Sequence, residues 1–137
     1  MAEGNNLFTV EIITPDRVFY KGEANMIEFN TLDGEIGVYK HHIPLTTVLK
    51  PGVVKIHEVE GQKAAAVHAG FAEILDEKVT LLAELAEWPD EIDIARAEAA
   101  RARAEERIAA KAENTDLARA ELALRRALTR INASGYK

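Results

Sequence analysis

Glu84-Leu85-Ala86-Glu87-Trp88-Pro89-Asp90-Glu91-Ile92-Asp93-Ile94-Ala95-Arg96-Ala97 is the stretch in which the chain changes character. Up to Pro89 the 137-residue chain holds all 4 of its prolines and every glycine but Gly135, with strand-forming residues between them. Between Asp90 and Ser134 there is no Gly or Pro, and Ala, Glu and Arg dominate. Proline lacks an amide hydrogen and glycine weakens a helix, so the first part reads as short strands joined by turns and the second as helix. The charge changes at the same point. Residues 1–89 carry 14 acidic and 7 basic side chains, net −7; residues 90–137 carry 9 and 10, net +1. The boundary near Trp88-Pro89-Asp90 divides the chain into 1–88 and 89–137.

Upstream, Leu7 to Ile13 is strand-like and stops at Thr14-Pro15. Met26 to Asn30 alternates, and Asp33-Gly34 after it supplies turn chemistry. Val53–His57 and Ala65–His68 flank a turn at Glu60-Gly61, and Phe71–Leu75 and Lys78–Leu85 flank another at Asp76-Glu77. Strands this short, with turn signals about every 8–12 residues, predict a sandwich or barrel. Downstream, Asp90 reads as the N-cap of a first helix, with Glu91 and Asp93 suited to the positive end of its dipole. Asn114-Thr115-Asp116 interrupts that helix and caps a second one from about Leu117. Leu117, Ala120, Leu124, Ala127, Leu128 and Ile131 form a stripe at helical spacing on the second helix. The first helix offers mostly alanine, with Ile92 and Ile108 as its larger members, so a weakly docked, reversible hairpin is expected. The predicted fold class is α+β: an N-terminal antiparallel β-sandwich or barrel followed by a C-terminal antiparallel two-helix hairpin.

Several functions are excluded or disfavoured. An apolar content of 47% with 29% charged residues is that of an ordinary globular chain. No apolar run reaches the roughly 18–20 residues of a membrane-spanning helix, and Met1–Asn6 lacks the pattern of a secretory signal. The absence of cysteine removes disulfides and thiolate metal sites and suits a reducing compartment. A net charge of −6 disfavours nucleic acid as a partner. His41-His42 is the only histidine pair and has no evident third ligand, so no metal site is expected. Ser134 is the only serine and lies outside any nucleophile elbow. No glycine-rich phosphate loop is present. The residues describe a two-part, non-catalytic interaction protein with no catalytic residue and no required cofactor. A small hydrolase built on acidic pairs such as Asp76 and Glu77 would lack both nucleophile and phosphate loop.

The tail arginines form two pairs. Arg96 and Arg103 are seven apart and Arg126 and Arg130 four apart, each pair sharing a helix face. An antiparallel hairpin brings the pairs together, and four guanidiniums in one place call for acids or an anion such as a phosphate chain between them. From spacing alone, a solvated helix surface laced with Glu/Arg pairs is the better reading.

Gly34-Glu35-Ile36-Gly37-Val38-Tyr39, then His42-Ile43-Pro44-Leu45 and Lys50-Pro51-Gly52, resembles the signature of the epsilon subunits of bacterial F-type ATP synthases. Ile13-Thr14-Pro15-Asp16-Arg17 before it is similar to that family's first-strand end. Ala69-Gly70-Phe71, Val79–Ala83, Ile92-Asp93 with Arg96-Ala97, and Leu122–Ala127 follow in the family's order. The resemblance covers nearly the whole chain.

It implies a β-sandwich that grips the gamma subunit and sits on the ring of c subunits, with Glu35 and His42 presented to them by a loop held by Gly34, Gly37 and Pro44. It implies a helical hairpin that folds against the sandwich or extends along gamma toward the catalytic beta and alpha subunits, where it blocks ATP hydrolysis. Arg119, Arg125 and Arg126 would then make salt-sensitive contacts with an acidic segment of beta. It further implies a peripheral position at the cytoplasmic face of the bacterial plasma membrane, without a span of its own. A subset of the family binds ATP in the folded hairpin. Its pattern is an Ile or Leu followed by Asp, two free positions, Arg and Ala, with a Glu five residues before and arginines in both helices. Ile92, Asp93, Arg96, Ala97 and Glu87 match that pattern, and Arg103, Arg126 and Arg130 stand where its further arginines do. The resemblance assigns Arg103, Arg126 and Arg130 to the phosphates, and Glu87 with Asp93 to adenine or to positioning the hairpin. Arg96 would pair with an acid and order the turn rather than touch ligand. A structural adaptor with a fixed helical arm and no nucleotide sensing is the alternative.

Overall fold

A computed structural model describes residues 6–136. Eight strands come first: β1 (Phe8–Ile13), β2 (Val18–Ala24), β3 (Met26–Thr31), β4 (Gly34–Val38), β5 (Leu45–Leu49), β6 (Gly52–Glu58), β7 (Gly61–Ile74) and β8 (Lys78–Glu87). A short 3-10 turn at Pro89–Glu91 leads into α1 (Ile94–Ala110) and α2 (Leu117–Ser134).

The strand order is β2-β1-β8-β7-β5-β3-β4, with β6 continuing the place of β5 between β7 and β3. β6 pairs with the first half of β7 and β5 with the second half. Pro51, which has no amide to donate, falls at the break between β5 and β6. Neighbouring strands run antiparallel except β1 and β8, which pair in parallel from Thr9–Lys78 to Ile13–Leu82. The expected sandwich is thus antiparallel but for this one pair.

Sequence reading takes Ala65–His68 and Phe71–Leu75 as separate strands. They are one strand with a kink, where Ala69 has φ 47° and Gly70 φ 135°. The kink lets β7 turn from β6 to β5 while holding β8 along its other edge. Gly70 is required there, because a Cβ would lie 2.0 Å from the Leu82 carbonyl oxygen. The folded sheet encloses Ile12, Ile27, Phe29, Ile56, Ile74 and Leu81, all fully buried.

Three strands, β2, β4 and β5, escape the sequence pattern. β2 places Phe19 and Tyr20 side by side in buried positions, against strict alternation. β4 carries two glycines in five residues, and its extended form comes from pairing with β3 across the two-residue turn Leu32-Asp33. Thr31 closes that turn, its hydroxyl donating to the Gly34 carbonyl at 2.8 Å and accepting from the Asp33 amide at 3.1 Å.

The helical hairpin forms, with two corrections. Asp90 lies within the 3-10 turn, and the N-cap of α1 is Asp93, whose carboxylate accepts from the Arg96 amide at 3.0 Å. Asp116 caps α2 through the Arg119 amide at 3.1 Å. The buried residues of α1 are Ala97 and Ala104; those of α2 are Ala120, Ala127, Thr129 and Ala133. The leucines of the expected stripe stay partly outside: Leu117 and Leu128 are exposed, and Leu124 and Ile131 are half-buried. Helices meeting through alanine approach closely, but each methyl contributes little, about 0.8 kcal/mol per buried carbon. α1 packs on α2, and α2 lies on β6 and β7. A small cluster of Ala66, Ile92 and Ala133, with Val53 beside it, forms the apolar part of that contact.

Gly70→Ala should lower the thermal unfolding midpoint by roughly 10 °C, because strain and clash cost on the order of 2–3 kcal/mol. A midpoint within about 2 °C of the parent would show that the kink in β7 tolerates a side chain.

Candidate functional site

The chain leaves the sandwich at Glu87, turns through Pro89–Glu91 and starts α1 at Ile94, while the last turns of α2 return to the same place. A cleft of about 340 Å³ opens at this root, lined by Glu87, Glu91, Asp93, Arg96, Ala97, Ala100, Arg103 and Arg130. Arg96, Ala100 and Arg103 share one face of α1, being four and three residues apart. The small side chains of Ala97 and Ala100 leave room between the charged ones. Six of the eight residues assigned by resemblance meet here: Glu87, Asp93, Arg96, Ala97, Arg103 and Arg130.

Ile92 and Arg126 do not line the cleft. Ile92 is buried with Ala66 and Ala133 and fastens the turn to the sandwich. Arg126 lies 3.8 Å from Glu84 on β8. Four residues are a full helical turn, about 6 Å along the axis, so Arg126 stands one turn farther from the root than Arg130. Glu91 and Ala100 line the cleft without having been singled out. Ala100 was findable from its place between Arg96 and Arg103, whereas Glu91 reads in sequence only as a helix-dipole acid.

The acids of the cleft are engaged within the chain. Glu87 Oε1 accepts from Arg130 Nε at 2.7 Å and lies 3.1 Å from His68 Nε2. Glu91 accepts from Arg17 Nη2 at 3.0 and 3.1 Å through its two oxygens, and from the Trp88 amide at 2.8 Å. The Arg17 guanidinium, followed by the Trp88 amide, holds the Glu91 carboxyl below its ordinary range. Asp93 is committed to its cap. Among the described residues, no carboxylate lies within 4.0 Å of Arg96 or Arg103. The cleft therefore holds two uncompensated guanidiniums and a third, Arg130, whose pairing a stronger anion can contest.

A larger groove of about 530 Å³ lies along Trp88, Pro89, Ala64 and Tyr136. Its charged members, Lys63 and Asp90, oppose one another in sign, and it lacks the converging arginines of the smaller cleft. Trp88 itself is occupied in stacking on Phe19, with ring centroids 4.3 Å apart.

A second surface is formed by the sandwich. Val48, Phe71, Leu82 and Ile13 stand in one cross-strand row on its outer face, and Phe71 and Leu82 are 55% and 49% exposed. Glu35 is exposed on β4 opposite Asn30, so the expected presenting loop is a strand over Gly34–Val38. The irregular part is 39–44, where His42 holds its Nδ1 2.7 Å from the Ile43 carbonyl. His41, at φ 67°, turns to Asp76 at 3.0 Å. The adjacent histidines thus address different partners. Among the described residues, no group of three His, Cys, Asp or Glu is placed to hold a metal ion.

The family model for the ATP synthase delta/epsilon chain β-sandwich domain matches residues 7–89, and that for its long α-helix domain matches 90–135. The chain belongs to the ATP synthase epsilon-chain family. Its relatives include the ATP synthase epsilon chain of Brevibacillus brevis, 50% identical over 105 residues that cover 75% of this chain and 79% of that one. The ATP synthase epsilon chain of Caldanaerobacter subterraneus subsp. tengcongensis is 46% identical over 76% of each. In fold, the chain is similar to one in the Euglena gracilis mitochondrial ATP synthase OSCP/F1/c-ring structure. The TM-score is 0.78 at 22% identity, covering 90% of this chain and 78% of that one. As an epsilon chain it is a subunit of ATP synthase, and no described helix is long and apolar enough to cross a membrane.

Arg17→Met should move the Glu91 carboxyl back up toward the ordinary range. Glu91 binds fewer protons in the folded state, so its contribution to holding the turn is present at neutral pH. It fades as pH falls through the depressed folded value. NMR titration of the carboxyl carbon checks this; an unchanged Glu91 would assign its depression to the Trp88 amide alone.

Proposed function

We propose that this epsilon chain is a central-stalk rotor subunit of an H⁺- or Na⁺-translocating F-type ATP synthase. It joins the gamma subunit to the c-subunit ring and restrains ATP hydrolysis through its helical tail. ATP bound in the root cleft holds that tail against the sandwich. The observation that carries the nucleotide reading is the convergence of Arg96, Arg103 and Arg130 on one cleft, two of them without a carboxylate partner among the described residues. Planar guanidiniums recognise phosphate oxygens in pairs, and a polyphosphate offers partners to Arg96 and Arg103.

The cleft is closed only when the hairpin is folded: Glu87 comes from the end of β8, Glu91 from the turn, Arg103 from α1 and Arg130 from α2. Extension of the tail separates them, so ATP binds one state only and stabilises that state by mass action. The weak alanine seam makes the balance adjustable. Released, the tail reaches toward the beta and alpha subunits with a slight positive charge. The exposed row of Phe71 and Leu82 on the sandwich supports burial against a large partner, for which gamma is the candidate. The Glu35–His42 segment is assigned to gamma and the c ring, which sets the subunit at the cytoplasmic face of the membrane without a span. A non-catalytic role is supported by Ser134, whose hydroxyl is committed to the Ile131 carbonyl at 2.6 Å.

Calorimetric titration with ATP and then ADP should give saturable, ATP-preferring binding. Arg103→Ala and Arg130→Ala should each weaken it about tenfold or more, as the loss of a charged hydrogen bond implies. Arg126→Ala, outside the cleft, should change it by less than about threefold. No binding at millimolar ATP would leave a fixed adaptor as the better reading of the tail. Deleting residues 90–137 from the assembled enzyme should raise its ATP hydrolysis severalfold. Unchanged hydrolysis would remove the inhibitory role.

A further inference from the structure

His68 is a titratable group that neither the nucleotide cleft nor the rotor contacts require. It lies on β7 two residues after Ala66, on the face that α2 covers, and it is 1% exposed. That face is the outside of the sandwich, since the intervening Val67 belongs to the main core. His68 is therefore buried by the tail. Lifting α2 returns it to water.

Its surroundings favour the uncharged ring. Nε2 stands 3.1 Å from Glu87 Oε1, so the ring proton sits on Nε2 and is donated to that oxygen. Nδ1 is buried and has no hydrogen-bond partner among the described residues. Adding a proton at Nδ1 would create a buried N–H with nothing to accept it. The carboxylate that might compensate the new charge is already taken by Arg130 Nε at 2.7 Å. The charged groups acting on His68 are Glu87 from β8, which favours the proton, and Arg130 and Arg126 from α2, which oppose it. On its other edge β7 meets β6 at Gly52 and Val53, which carry no charge. Burial, the largest influence, depresses the imidazole below its ordinary range.

We propose that His68 is a proton-sensitive latch: neutral, it lets α2 dock through the Arg130–Glu87 pair, and protonated, it expels the helix from the sandwich. The docked tail binds fewer protons than the lifted one. Docking is therefore complete above the ordinary imidazole value near 6.5 and is lost progressively as pH falls below it. Acidification delivers a cation beside Arg130 and Arg126, and the cheapest relief is removal of the helix that carries both arginines. The latch acts on docking itself and does not require a nucleotide in the cleft.

Amide hydrogen exchange on the intact chain without nucleotide tests this. After correction for intrinsic rates, protection across α2 should fall about tenfold from pH near 7.5 to pH near 5.5, and by less than about twofold in His68→Gln. Glutamine can still donate to Glu87 but cannot charge. PH-independent protection in the parent would overturn the latch, as would the same fall in His68→Gln. Should His68→Gln be undocked at every pH, the imidazole resonances of the parent decide. They are expected to show the Nε2–H tautomer, with a titration below the ordinary range that α2 amide shifts follow. An imidazole that charges at or above about 6.5 while α2 stays docked would refute the latch.

Discussion

The shortest ion pair between tail and body is made by one carboxylate. Glu87, the last residue of β8, receives Arg130 of α2 at 2.7 Å and faces His68 of β7 at 3.1 Å on the same oxygen. Around it the apolar contact is small, made by Ala66, Ile92, Ala133 and Val53. Burial of methyl groups alone stabilises such a contact weakly, so the charged pair sets how firmly the helix sits. The pair is only partly shielded, with side chains 30% and 20% exposed. It therefore contributes less than a fully buried pair and responds to anything that competes for either partner. A polyphosphate in the cleft would draw on Arg130 but tie it to Arg96 and Arg103, keeping the tail docked, whereas a protonated His68 would weaken the pair with no such replacement.

The two halves of the molecule are built to different standards of rigidity. The sandwich packs large side chains, among them Phe29, Ile12 and Leu81, with no exposure. Its kinked strand is fixed at Gly70, where a Cβ would meet the Leu82 carbonyl oxygen. The hairpin buries alanine against alanine and leaves Leu117 and Leu128 in solvent. A rigid body suits attachment to neighbouring subunits, and a lightly held arm suits a regulatory element whose two positions differ by little free energy. The composition break at Trp88-Pro89-Asp90 is the covalent trace of that division.

Much of this was written in the order of residues. The change from Gly- and Pro-punctuated strands to uninterrupted Ala/Glu/Arg sequence placed the two parts, because backbone preference is local. The spacing of Arg96 and Arg103 put both on one face, since helical periodicity needs no tertiary information. The seam was less legible. The stripe from Leu117 to Ile131 is a true apolar face that includes the buried Ala120 and Ala127, yet periodicity cannot say which part of it a partner will cover. Alanines allow the closer approach, and they took the seam. The cap shifted from Asp90 to Asp93 because Pro89 starts a 3-10 turn before the helix can begin.

What the sequence by itself determined is the kind of protein: two architectures, their boundary, and the residue types from which an anion site can be made. Only the tertiary structure decided which of those residues meet. Glu87 and Arg130 are 43 positions apart and touch because the hairpin returns to its own root. Arg126, one turn away, is carried instead to Glu84. His68 reads in sequence as one more strand residue. Its burial exists only because a helix from the far end of the chain lies over it, and that is set by packing rather than by local preference.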